Sequence, residues 1–115
     1  MTRMSLGTEG LTLPSRQAVE AMGNNIRIAR KRRGWTLDAM AGSMLVTRKT
    51  LSRLEAGDPS VGLSVMAAAL HVLGMVNDLR DIAAPDKDVV GIFSEKQRLP
   101  QRVRKKQANK NELDF

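Results

Sequence analysis

The sequence predicts an all-α fold: a bundle of five short helices with an arm before it and a basic tail after it. Three observations carry this. Apolar residues recur every three or four positions from Val19 to Leu73, the period of one helical face. Gly34, Gly57 and Gly74 interrupt the pattern where helices of ordinary length would stop. Between Thr36 and Gly57 the pattern breaks into two short segments joined by a tight turn, the layout of a helix-turn-helix.

The elements follow in order. Residues 1–14 are rich in Gly, Thr and Ser and close on Pro14, so they are expected to form a flexible arm. Ser15 is the expected cap of the first helix, with Val19, Met22, Ile26 and Ala29 on its inner face. That helix ends at Gly34, after a cationic last turn that suits the negative end of the helix dipole. Thr36 caps the second helix, Asp38 lies in its first turn, and Met40, Ala41 and Met44 face inward. Thr47 caps the third, residues 48–55, whose Leu51 and Leu54 point to the core. Asp58-Pro59-Ser60 is a loop. Residues 63–73 are apolar almost throughout and are expected to lie at the buried centre. Asn77 is the expected cap of a fifth helix, residues 78–83, ended by Pro85. The folded domain is therefore expected over residues 15–85, and residues 86–115 read as a basic tail. Within it, residues 89–93 are a lone apolar run; it can be a short strand or a docked turn, and periodicity does not choose. Residues 95–112 are polar and basic and are expected to be poorly ordered alone.

Composition narrows the function. The chain has 115 residues, 42% of them hydrophobic but only 3% aromatic, so the core must come from Leu, Val, Ile, Ala and the seven Met. There is no cysteine, hence no disulfide framework and no thiolate chemistry, which fits a cytoplasmic protein. No run approaches the roughly 20 apolar residues of a membrane span. The start of the sequence does not read as a signal peptide. An enzyme is not expected: no nucleophile is paired with a base, no glycine-rich phosphate loop is present, and no cofactor is implied. A metal site is not expected from one His and no Cys; His71 is expected in the core or an interface. Trp35, the sole Trp, reads as a core plug between the first two helices. The net charge of +7 favours a polyanionic partner, nucleic acid first. Five cations lie between Arg27 and Arg33, three on the third helix, and seven between Lys96 and Lys110.

The third helix carries the specific chemistry. Arg48, Lys49, Ser52 and Arg53 share an outward face opposite Leu51 and Leu54. A helix that is apolar behind and cationic or hydroxylic in front can lie in a DNA major groove. Arg and Lys donate to guanine O6 and N7, and Arg does so with a planar fork.

The run from Met22 to Gly34, the helix-turn-helix segment, the string Leu54-Glu55-Ala56-Gly57 and the pair Leu73-Gly74 closely resemble the five-helix Cro/lambda-repressor-type (XRE) DNA-binding domain, over about residues 20–76. The resemblance implies binding to double-stranded DNA as a homodimer on an inverted-repeat operator. It places base reading on Arg48, Lys49 and Arg53, with Ser52 beside them. It also implies a buried structural ion pair between Arg30 and Glu55. Two positions depart from the pattern. Leu45 stands where the family turn usually carries Gly, at a cost on the order of 1 kcal/mol if its backbone is left-handed. Leu37 replaces a frequent phosphate-contacting Gln, so Thr36, Thr47 and the N–H groups at both helix starts become the candidates for that contact.

Beyond the domain, Leu99-Pro-Gln-Arg-Val-Arg-Lys-Lys106 and Leu113-Asp-Phe115 are similar to the tails of HipB-like antitoxins, the regulators paired with HipA-type kinase toxins. That similarity implies a repressor of its own operon that also holds a toxin, with Arg102, Arg104, Leu113 and Phe115 as partner-binding residues, acting in the cytoplasm on the nucleoid. The alternative within the class is a stand-alone or phage-type regulator without a toxin. A reading from another class is a scaffold whose tail binds RNA or a membrane surface. RNA binding would call for exposed aromatics, and the tail offers only Phe93 and Phe115.

Overall fold

The computed structural model describes residues 10–98, and among these every regular element is helical. Six α-helices follow one another: α1 (Leu13–Arg32), α2 (Leu37–Met44), α3 (Arg48–Glu55), α4 (Leu63–Leu73), α5 (Val76–Arg80) and α6 (Val89–Arg98), with a 3-10 turn at Pro85–Lys87 before the last. The chain divides between Leu79 and Arg80 into two compact units.

In the first unit, α1, α3 and α4 pack on one another, and α2 closes the bundle against α3 and α4. The core is Ile26 from α1, Met40, Ala41 and Met44 from α2, Leu51 and Leu54 from α3, and Ala69 and Leu73 from α4. Leu51 and Met40 are enclosed completely, so each contributes on the order of 2 kcal/mol of apolar burial. The close approach of α1 to the end of α3 depends on one missing side chain. A Cβ at the buried Gly23 would lie 2.5 Å from the Leu54 carbonyl oxygen and 2.9 Å from that of Glu55.

Several expectations are corrected. The first helix starts at Leu13, capped by Thr12 rather than Ser15; the Thr12 hydroxyl accepts from the Ser15 N–H at 3.2 Å. Pro14 does not end an arm but opens the helix, in the first turn where its missing N–H costs nothing. The remainder of the expected arm, residues 1–9, lies outside the described residues. Helix α4 is not a buried centre: only Ala69 and Leu73 are enclosed, and Leu63 is 69% exposed. His71 is on its exposed side. Trp35 is half-buried against the core, with the Arg33 guanidinium 5.7 Å from the ring centre.

The fifth helix is Val76–Arg80 rather than residues 78–83. The chain cannot continue helical through Ala83, whose φ is 57°. In the second unit, residues 89–93 are not a strand but the start of α6. Asp88 settles this locally, since its carboxylate accepts the Gly91 N–H at 2.9 Å and its carbonyl accepts the Ile92 N–H at 2.9 Å. Val89, Val90 and Phe93 remain exposed.

Candidate nucleic-acid interface

The helix-turn-helix is set by two threonine caps and a left-handed residue. Thr36 accepts the Ala39 N–H at 3.0 Å and starts α2; Thr47 accepts the Thr50 N–H at 3.1 Å and starts α3. Between them Leu45 ends α2 at φ 62°, ψ 39°, and the Val46 N–H returns to the Ala41 carbonyl at 3.0 Å. This six-residue closure is the usual left-handed helix stop, here made by Leu instead of Gly. The Leu45 side chain is 91% exposed, so no packing offsets its backbone strain, whereas Val46 turns in to the core.

On α3, Leu51, Leu54 and Glu55 are buried, while Arg48, Lys49 and Ser52 are exposed. Thr36 and Thr47, at the two helix starts, are exposed as well. Both starts carry N–H groups with no helical acceptor, the feature that receives a phosphate. Arg48 lies 4.0 Å from Asp38, a loose pair between two exposed side chains that contributes little. Arg53 differs from its neighbours. Its Nε donates to Asp58 Oδ2 at 3.0 Å and its Nη2 to Ser60 Oγ at 2.7 Å, so its guanidinium is held by the loop that follows α3.

Arg30 and Glu55 meet in the interior. Nε donates to Oε2 at 2.6 Å and Nη2 to Oε1 at 2.9 Å, a two-pronged pair, and Nη1 donates to the Trp35 carbonyl at 2.9 Å. The hydrogen bonds to Glu55 push Arg30 above its ordinary value, against the opposing effect of burial. The pair joins the last turn of α1 to the last residue of α3.

A cleft of about 470 Å³ lies beside this pair, lined by Asn24, Arg27, Arg30 and Lys31 of α1, Leu37 of α2, and Ser52, Glu55 and Ala56. Arg27 and Lys31, one helical turn apart, are exposed and line the same cleft as Ser52. The sequence shows these cations only as part of a run that suits a helix end. Their place next to the third helix is a product of packing. Leu37, half-buried against the core, lines the same cleft.

The tail residues Arg102, Arg104, Leu113 and Phe115 lie outside the described residues. Among those described, no cluster of potential metal ligands occurs, and no helix is long and apolar enough to cross a membrane. A family model for a helix-turn-helix domain matches residues 21–82, more than half of the chain. No curated protein and no solved structure matches it.

Proposed function

The chain belongs to the helix-turn-helix domain family, and from that membership we propose that it is a sequence-specific repressor of transcription that binds double-stranded DNA through α3. The observation that carries the reading is the division of α3 itself. Leu51, Leu54 and Glu55 are enclosed, while Arg48, Lys49 and Ser52 stand clear on the other side. This geometry leaves the third helix free to enter a major groove, with Arg48, Lys49 and Arg53 as base readers. Thr36, Thr47 and the N–H groups behind them serve as phosphate contacts, and Arg27 and Lys31, in the cleft that Ser52 also lines, add charge.

One such helix reads only a few base pairs, so a homodimer on an inverted repeat follows, with half-sites about one helical turn apart. Met75, exposed at the end of α4, together with Val76 and Leu79, is our proposed pairing surface. The similarity of the tail to HipB-like antitoxins supports a second role, neutralising a HipA-type kinase toxin in the cytoplasm. The folded domain, placed at residues 15–85, would read DNA, and Arg102, Arg104, Leu113 and Phe115 would engage the toxin.

Footprinting the full chain on the DNA upstream of its own reading frame tests the first role. A protected inverted repeat, lost on replacing Arg48 and Lys49 by Ala, supports it. Equal binding to all duplexes by both proteins refutes it. A chain lacking residues 113–115 tests the second role: toxin capture that survives this deletion, and also survives removal of residues 86–115, refutes the tail contact and favours the stand-alone regulator.

A further inference from the structure

The loop after α3 contains a clamp that nothing in the base-reading scheme requires. Asp58 uses both carboxylate oxygens. Oδ2 accepts Arg53 Nε at 3.0 Å, and Oδ1 accepts both the Ser60 N–H at 2.9 Å and the Ser60 hydroxyl at 2.7 Å. The Ser60 oxygen in turn accepts Arg53 Nη2 at 2.7 Å. The ring is tied to the end of α3, because the Asp58 N–H donates to the Arg53 carbonyl at 3.1 Å. Pro59 fixes φ between the two polar residues.

A guanidinium has five N–H donors in a rigid fork. The clamp takes the Nε proton and one of the two on Nη2. Both Nη1 protons and one Nη2 proton have no partner in the clamp; one Nη1 proton and that Nη2 proton form the end-on pair that can meet guanine O6 and N7. An unheld Arg loses roughly 2 kcal/mol of rotamer freedom when it is fixed on a base. Here the loop has already taken that loss. Arg48, by contrast, has among the described residues only a loose ionic neighbour, Asp38 at 4.0 Å, so of the two arginines on α3 it is Arg53 that is held in place.

We propose that Asp58 and Ser60 are positioning residues for base recognition, holding the Arg53 guanidinium edge-on so that its free end reads one base pair. The inference rests on Arg53 facing DNA, as the proposed function has it. The Asp58 carboxyl, lowered to about 2 chiefly by the Ser60 hydroxyl and N–H and then by Arg53, is charged at neutral pH.

The probe is the duplex that the full wild-type chain selects from a randomised double-stranded pool, together with all single-base variants of it. Wild type, Arg53→Ala, Asp58→Ala, Ser60→Ala and Arg53→Ala/Asp58→Ala are compared by titration. Wild type and Arg53→Ala identify the position that Arg53 reads. At that position, Asp58→Ala and Ser60→Ala should each reduce the preference for the selected base about threefold to tenfold. Preferences elsewhere should be unchanged, and Asp58→Ala should change nothing further in the Arg53→Ala background. Ser60 is exposed, so its variant keeps the test free of any folding defect in Asp58→Ala. If Asp58→Ala instead strengthens binding equally to every duplex, Asp58 is only a repelling charge and the clamp is overturned. If Arg53→Ala changes no preference at all, the base-reading role of Arg53 itself fails, a result separate from failure of the clamp.

Discussion

Replacing Arg30 by Ala should remove a large part of the domain's stability. Three donors are lost together: those to Glu55 Oε2 at 2.6 Å, to Glu55 Oε1 at 2.9 Å and to the Trp35 carbonyl at 2.9 Å. The Arg30 and Glu55 side chains are only 8% and 6% exposed, so the Glu55 carboxylate would lose its partner in a largely enclosed position. A carboxylate stranded in this way costs about 3–5 kcal/mol. A folded unit of this size has roughly 4–10 kcal/mol in all. The loss is therefore a third or more of the total. The pair itself is worth far less than its rupture, because bringing two charges out of water nearly cancels their attraction. Arg30→Met/Glu55→Leu, which fills the space with apolar atoms, should consequently be more stable than either single change. Urea unfolding of the full chain, followed by far-ultraviolet circular dichroism, measures wild type, Arg30→Ala, Arg30→Met, Glu55→Leu and the double variant. Single changes that each cost under about 1 kcal/mol and simply add in the double variant would refute the reasoning.

Three further outcomes follow from the same structure. Leu45→Gly should raise stability by about 0.5–1 kcal/mol in the same urea assay: relief of a left-handed Leu exceeds the added freedom of Gly in the unfolded chain, and a side chain 91% exposed has no packing to lose. Gly23→Ala should cost about 1–3 kcal/mol because its Cβ meets fixed carbonyl oxygens of α3, whereas Gly42→Ala, with nothing within 4 Å, should gain up to about 1 kcal/mol; a Gly23→Ala protein as stable as wild type would show that α1 and α3 are not so close. Asp58 has its folded value lowered from 3.8 to about 2, so its stabilising contribution is complete above 3.8 and disappears as pH falls through about 2; the advantage of wild type over Asp58→Asn in thermal midpoint should narrow across that window, and a gap independent of pH would contradict the clamp geometry.

Much of the fold is written in local pattern. The inward sets Met40, Ala41, Met44 and Leu51, Leu54 are legible because a half-buried helix repeats its apolar side every three or four residues, and threonines before each short helix mark the starts. Where the local signal was equivocal, nearby chemistry decided. Residues 89–93 have no period of their own, and the Asp88 cap turns them into helix.

What the sequence determined by itself was the kind of surface α3 offers, because the residue types on one helical face follow from spacing alone. The likeness to the XRE pattern pointed to Leu45 as strained if left-handed, and the structure gives it φ 62°. Tertiary structure decided which charges are free. Arg48 and Arg53 look alike five positions apart on one helix, yet the first is open and the second is gripped by Asp58 and Ser60. It also brought Arg27 and Lys31 into the cleft that Ser52 lines, across more than 20 residues of chain. Periodicity records only which side of a helix faces inward. Which donor meets which acceptor depends on distances of about 3 Å between separate segments, and those are set by how the loops close and the helices pack.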